Sequence, residues 1–243
     1  MEQIKINGFV IKETSYGETS KILTIITKEK GIISVMSKGS KRLKSTLRCV
    51  SEKFSYANFC INYKDNKMSI LTGGDIINPL LNIKKDILKI AYVNFICELT
   101  YQVLKQNNSK TIYDIFINSI LKIEEGFDSG VITNILELKY LKYLGVSPVF
   151  DGCVVCGNNN VVTLSSYKGG FVCKEHIENE YIVSTKTIKL IKLLEYVDIL
   201  MISKIDIKED IKKEIDAFIN EYYDRYTGLY LKSKDFLKKI NMY

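Results

Sequence analysis

The chain has 243 residues, 46% of them apolar and 26% charged, with only two prolines. That is the composition of a folded chain, long enough for one large domain or two to three small ones, and not of a disordered one. No apolar run approaches the ~20 residues of a bilayer span, and Met1-Glu2-Gln3-Ile4-Lys5 lacks a signal-peptide core, so the expectation is no membrane and a reducing cytoplasm. Net charge is +7, unevenly spread: residues 1–80 hold thirteen Lys/Arg against seven Asp/Glu, and the remainder is close to neutral. A basic N-terminal part calls for an anionic partner.

From Ile4 to about Leu71 the pattern is one of short strands and turns. Ile6, Gly8 and Val10 alternate with polar residues, and Tyr16-Gly17-Glu18 breaks the run. Ile22 to Thr27 is a second strand, Lys28-Glu29-Lys30-Gly31 a tight turn, and Ile32 to Met36 the returning strand. Phe54 and Tyr56, then Phe59, Ile61 and Tyr63, give a fourth strand with one change of phase that marks a bulge. Lys64-Asp65-Asn66-Lys67 turns into a fifth strand, Met68 to Leu71. Five strands in a segment of this size suit a small closed barrel, which leaves no sheet edge exposed. The OB-fold is the first candidate, and strand count alone leaves an SH3-like barrel open.

Between the third and fourth strands lies Ser37-Lys38-Gly39-Ser40-Lys41-Arg42-Leu43-Lys44-Ser45-Thr46-Leu47-Arg48, with five cations and no acid. Many charge runs are only solvated loops. Here the Ser and Thr hydroxyls add phosphate donors to the charge. Tyr56, Phe59 and Tyr63 are interleaved in the next strand, where one face suits stacking on bases and the other must fill the barrel. Clustered Lys/Arg are what phosphate contact needs, so the loop is the candidate nucleic-acid site.

Gly73-Gly74 and Asn78-Pro79 mark a boundary, after which the period becomes helical. Ile83, Ile87, Ile90, Ala91, Cys97, Tyr101 and Leu104 fall on one stripe of a first helix. Ile112, Ile115, Phe116, Ile120 and Ile123 form a second, ended near Gly126. Asp128-Ser129 caps a third, lined by Ile132, Ile135, Leu136, Tyr140 and Leu144, with Gly145 at its C-terminal cap. After about Tyr181 helices resume: a short one through Ile188, Ile191 and Leu194, and a longer one from Ile211 to Leu229. The tail from Lys232 is basic and peripheral, and Cys49, Cys60 and Cys97, among apolar neighbours, read as buried thiols.

The most specific motif interrupts this helical run. Cys153-Val154-Val155-Cys156 is followed, sixteen residues later, by Cys173-Lys174-Glu175-His176, which holds the only histidine. Val161–Ser165 and Phe171-Val172 are two short strands around Lys168-Gly169-Gly170, a hairpin that returns the second pair to the first. Two pairs of Cys/His at this spacing are the signature of a zinc site. A thioredoxin-like pair would follow a strand and open a helix, whereas this one follows a Pro-Val-Phe-Asp-Gly loop. A catalytic zinc keeps one position open. With Cys153, Cys156, Cys173 and His176 all available as ligands, one structural Zn2+ is expected.

No phosphate-cradling glycine loop, nucleophile elbow or second histidine is present, so a binding protein and not an enzyme is expected. A zinc-dependent nuclease or deaminase would need a metal-bound water and a base, and the His-x-Glu that precedes the Cys pair in deaminases is missing. The alternative kept open is a zinc-ribbon protein that binds RNA or attends transcription.

Several stretches together resemble the bacterial RecO family of DNA repair and recombination mediators. They are Ser15-Tyr16-Gly17-Glu18-Thr19-Ser20, Thr27-Lys28-Glu29-Lys30-Gly31 and Ser37-Lys38-Gly39-Ser40-Lys41-Arg42, then Leu141-Lys142-Tyr143-Leu144-Gly145-Val146-Ser147-Pro148 leading into Cys153-x-x-Cys156-Gly157, and Gly169-Gly170-Phe171-Val172-Cys173. The likeness spans most of the chain and thins after about Tyr181. It implies a non-enzymatic mediator with an N-terminal OB-fold that binds single- and double-stranded DNA and anneals complementary strands. It further implies that, with RecR, the protein helps RecA replace single-strand-binding protein, whose C-terminal tail it contacts. A nucleoid-associated cytoplasmic location follows. The basic signature puts forward Lys38, Lys41 and Arg42 as DNA contacts; Lys44 and Arg48 are added on charge alone. His176 stands where cysteine is also common in the family, and some members lack the metal ligands.

The expected fold class is therefore multidomain α+β. Residues 1–79 form an OB-fold DNA-binding domain, 80–148 the first part of a helical domain, 149–181 a zinc-binding ribbon insert, and 182–243 the second part of the helical domain.

Overall fold

A computed structural model describes residues 2–65 and 67–240, with side chains to residue 237. The chain forms two compact units, one of residues 1–124 and 233–243 and the other of residues 125–232.

In the first unit, five strands close into a barrel in the order β1-β2-β3-β5-β4: β1 Glu2–Tyr16, β2 Ser20–Thr27, β3 Gly31–Ser37, β4 Tyr56–Tyr63 and β5 Ser69–Asn78. All neighbours are antiparallel except the short β3–β5 pair, where Val35 and Met36 face Ser69 and Ile70. Period-two alternation sends Ile6, Leu23, Ile25, Ile33, Val35, Ala57, Phe59, Ile61 and Leu71 into one core. The fifth strand runs past Gly73-Gly74, which the sequence reading took as a boundary. A Cβ on Gly74 would lie 2.9 Å from the Asn58 carbonyl, so this glycine serves close strand packing. The irregularity expected in the fourth strand is present: its register against β5 shifts between Tyr56 and Ala57 and again between Cys60 and Ile61, and just ahead of the strand Phe54 takes a positive φ of 66°.

Two long helices pack on this barrel. α1 Leu81–Lys84 is a single turn, followed by α2 Ile87–Gln106 and α3 Lys110–Glu125. The stripe read as one helix from Ile83 is broken because Asp86 caps α2, accepting from the Leu88 and Lys89 N–H groups, which leaves Ile87 69% exposed. Phe116 of α3 meets Phe9 edge-on at 5.2 Å, and Lys28 pairs with Asp114 at 2.8 Å. α2 alone among the described helices is long and apolar enough to cross a bilayer; half of that stretch is buried in the protein, as in a core helix. Of the three cysteines read as buried thiols only Cys97, on α2, is buried. Cys60 is half-buried because it points outward between core-facing Phe59 and Ile61, and Cys49 is exposed on a 3₁₀ turn. The tail read as peripheral is a helix in its described part, α7 Lys232–Ile240, and its Ser233 N–H donates to Glu98 at 2.8 Å.

The second unit is built on α4 Ser129–Tyr143, which is buried on nearly every side and therefore has little amphipathic character. α5 Thr185–Tyr196 and α6 Glu209–Tyr226 pack on it and on each other. Asn134 donates to Asp216 at 2.7 Å, and the Tyr223 hydroxyl donates to the Glu137 carbonyl at 2.8 Å. Gly145, at φ 74°, closes α4 as the sequence anticipates: its N–H reaches the Lys142 carbonyl and that of Val146 the Leu141 carbonyl.

Asp128 caps α4 by accepting from the Val131 N–H at 3.0 Å, and its second oxygen meets Lys212 of α6 at 2.5 Å. Burial alone would raise this carboxyl, but Lys212 and the Val131 and Gly130 N–H groups hold it below the ordinary carboxylate value. A group with a lowered folded-state pKa stabilises above its unfolded value and loses that contribution as pH falls through the folded one. Asp128→Ala should therefore cost about 1–2 kcal/mol at neutral pH. In urea titrations its deficit should shrink as pH drops below about 4.

Candidate functional site

The hairpin of the second unit consists of β6 Val161–Ser165 and β7 Gly170–Cys173, joined by a turn through Lys168 and Gly169. Val149 lies along Gly170 on the other side of β7: its N–H donates to the Gly169 carbonyl at 2.9 Å, and the Phe171 N–H donates to its carbonyl at 3.0 Å. A Cβ on Gly170 would lie 2.2 Å from that carbonyl oxygen, so only glycine fits. Phe150 stacks between Phe171 and Phe218, at 4.9 and 5.8 Å, which ties the hairpin to α6.

This frame gathers Cys153, Cys156, Cys173 and His176. Their ligand atoms all lie within 4.8 Å of one another. Cys156 Sγ is 3.7 Å from Cys173 Sγ, and His176 Nδ1 is 3.7 Å from Cys153 Sγ and 3.2 Å from Cys173 Sγ. A sulfur separation of that size is no disulfide, whose bond is ~2.05 Å. It matches the edge of a tetrahedron of thiolates and imidazole about one small ion, roughly 3.6–3.8 Å. Gly157, at φ 73°, turns the first knuckle back so that its N–H donates to the Cys153 carbonyl at 2.8 Å. Burial pushes the Cys153 thiol up, but N–H groups of Cys173, Cys156 and Val155 outweigh it and hold the thiol near 6. A thiolate is the form that binds metal, so the donor set fits a metal ion with four protein ligands and no open position.

The turn is held from outside by Lys168. Its ammonium donates to the His176 carbonyl at 2.6 Å and pairs with Glu180 at 3.0 Å and Glu178 at 3.2 Å. A cleft of about 650 Å³ opens between this segment and α6. Glu178, Glu180, Glu214 and Glu221 line it, a sign of charge that repels nucleic acid.

The cations stand on the barrel of the first unit. Lys38, Arg42, Lys44 and Arg48 are exposed, on a loop that begins where β3 ends. Lys41 is half-buried: its N–H donates to the Thr19 carbonyl at 2.9 Å and its ammonium to the Gly17 carbonyl at 3.3 Å, pinning the loop to the β1–β2 turn. Two of the hydroxyls read as phosphate donors are structural. Ser37 and Ser40 are fully buried; Ser37 shares a 2.7 Å hydrogen bond with Ser51, and Ser40 donates to the Ser37 carbonyl at 3.1 Å.

Lys38 and Arg42 come together in a cleft with Tyr16, Thr19, Ser20, Met36 and Gly39; Lys44 and Arg48 lie outside it. Of the aromatics singled out from the sequence, Phe59 is in the core, Tyr56 is half-buried beside Tyr113, and Tyr63 lies under Lys30 at 4.7 Å. The aromatic ring beside the cations is instead Tyr16, which sequence reasoning passed over as part of a turn. No alternation marked it, because β1 runs on past the packed part of the barrel and Lys12 through Tyr16 are all exposed.

The family model "Recombination protein O N terminal" matches residues 1–80, and "Recombination protein O C terminal" matches residues 84–235. Proteins named DNA repair protein RecO, from Bacillus cereus (strain B4264), Bacillus anthracis (strain CDC 684 / NRRL 3495) and Bacillus thuringiensis subsp. konkukian (strain 97-27), are each 34% identical over 244 residues, covering 98% of both chains. By that coverage and identity the chain belongs to the RecO family, non-catalytic mediators of DNA repair and recombination.

Proposed function

We propose that the protein binds single- and double-stranded DNA through Lys38, Lys41, Arg42, Lys44 and Arg48 and anneals complementary strands without nucleotide hydrolysis. With RecR it would help RecA displace single-strand-binding protein, whose C-terminal tail it also contacts. The single observation that carries the reading is an acid-free cationic loop, four of its five cations exposed, on a closed barrel. The strand order β1-β2-β3-β5-β4 is the one expected of an OB-fold, a common nucleic-acid platform.

The mechanism needs no catalytic group. Two single strands repel as polyanions, and a surface that neutralises phosphates lowers the work of bringing them together. Phosphate contacts carry no sequence information, which a mediator acting on any damaged site requires. The residues of the candidate metal centre fit Zn2+, which would supply structure only, since its four protein ligands leave no place for a reacting water. In this reading residues 1–79 form the DNA-binding domain, 149–181 the zinc ribbon, and 80–148 with 182–243 the helical domain, in a cytoplasmic, nucleoid-associated protein.

Annealing of complementary oligonucleotides in the absence of any nucleotide tests the reading. The expected result is acceleration of at least about tenfold at low salt, falling steeply as salt rises. RNA competing better than DNA of equal length would turn the reading toward an RNA-binding ribbon protein, and absence of annealing would overturn it.

A further inference from the structure

The cleft holding Lys38 and Arg42 has an aromatic wall. β1 ends at Tyr16, where Lys12 through Tyr16 are all exposed, so neither face of the strand end is packed. Tyr16 is 55% exposed while it lines the cleft beside the two cations, so its side chain is open to a ligand there. The position is fixed from several directions. Tyr16 pairs across the hairpin with Ser20, whose hydroxyl accepts from the Gly39 N–H at 3.2 Å. Gly17 takes a φ of 59°, and Lys41 holds its carbonyl. The β1–β2 turn and the cationic loop are thus one built wall. The cleft volume, about 510 Å³, lies in the range of ~300–1,000 Å³ typical of small-ligand sites, room enough for one nucleotide.

We propose that Tyr16 is a stacking platform for one unpaired base whose flanking phosphates lie on Lys38 and Arg42, so that this cleft reads strandedness and not sequence. The inference rests on the DNA-binding reading of the loop and adds to it a discriminating subsite. Every base offers a π-face, and a base inside a duplex has both faces occupied, so the ring contributes only to unpaired strands. The cations contribute to either.

The test uses the full chain and three probes of equal length: oligo-dT, the same strand with abasic residues at its centre, and a blunt duplex. Tyr16→Ala should lose about 5- to 100-fold affinity for oligo-dT, and stay within about twofold for the abasic strand and the duplex. Tyr16→Phe should keep the wild-type pattern. Because the chain has no tryptophan, Tyr16→Trp supplies a single tryptophan, excited selectively over the tyrosines, whose emission oligo-dT should quench and the abasic strand should not. Equal losses on all three probes, or no loss on oligo-dT, overturn the subsite. Lys38→Ala and Arg42→Ala should weaken all three probes. If they weaken none, the interface itself is wrong and the subsite falls with it; if they do and Tyr16→Ala changes nothing, only the subsite falls.

Discussion

Cys173→Ser is expected to empty the metal centre and disorder the hairpin around it, while DNA binding stays within about threefold of wild type. Cys173 is 2% exposed and sits at the end of β7, against both Cys156 and His176. A serine hydroxyl in its place is a poor ligand, and three remaining donors hold zinc far more weakly. The apolar core of the hairpin is Cys153, Val172 and Cys173, with Val154, Val161 and Ile177 at its margin. A cluster of this size does not fold on its own account, and metal binding, worth about 10–16 kcal/mol in comparable small sites, would supply what it lacks. Disorder should spread toward α6, because Phe171 and Phe150 lead to Phe218. Metal analysis should fall from about one ion per chain to under about a tenth, and limited proteolysis should cut first between residues 150 and 181. The Lys38–Arg48 loop lies in the other compact unit, so the DNA contacts proposed for it should not depend on this fold. A variant that retains a full complement of metal would remove Cys173 from the site. A loss of DNA affinity as deep as that from the loop cations would give the metal a part in recognition.

What could be read from the sequence divides along a physical line. Features set by local chemistry were legible. A Cys-x-x-Cys pair must make a knuckle, Asp128 must cap, and Gly145 must take a left-handed turn, because each is decided within a few residues. Features set by a distant neighbour were not. Gly73-Gly74 looks like a break, and only the approach of Asn58 from β4 makes it the middle of a strand. Cys60 has apolar neighbours in sequence but points away from them in the barrel. The hydroxyls of Ser37 and Ser40 look like phosphate donors until Ser51 and the loop backbone claim them. Tyr16 is the converse: alternation assigns strand residues to an inside and an outside, and gives no sign that β1 runs on past the packed part of the barrel. The cationic loop was found because charge density needs no fold to be seen, but which cation anchors the loop was settled only by the Gly17 and Thr19 carbonyls at Lys41.

That distinction shapes the second large effect. The substitution to make is Lys38, Arg42 and Lys44 together to Glu, with Lys41 left in place to hold the turn. The three are exposed, so the variant should fold with an unchanged unfolding midpoint to within a few degrees. Each phosphate contact adds about 0.7 to the salt slope of log K on single strands and about 0.9 on duplex. Removing three should make the slope shallower by about two units or slightly more. At about 50 mM salt, where the lost counterion release counts most and three new carboxylates repel the backbone, affinity should fall by roughly a hundredfold or more. The deficit should narrow as salt rises, since screening removes what remains of the attraction in the wild type. It should also be the same for every base sequence, because phosphate contacts position without specifying. A sequence-dependent loss would mean that these side chains touch base edges. An unchanged affinity at about 100 mM salt would place the DNA elsewhere on the protein. Annealing should fail in parallel with binding, since the same charges that hold one strand must screen it from the next. A variant that bound normally and annealed poorly would separate the two steps and give the loop a part in bringing strands together beyond holding one of them.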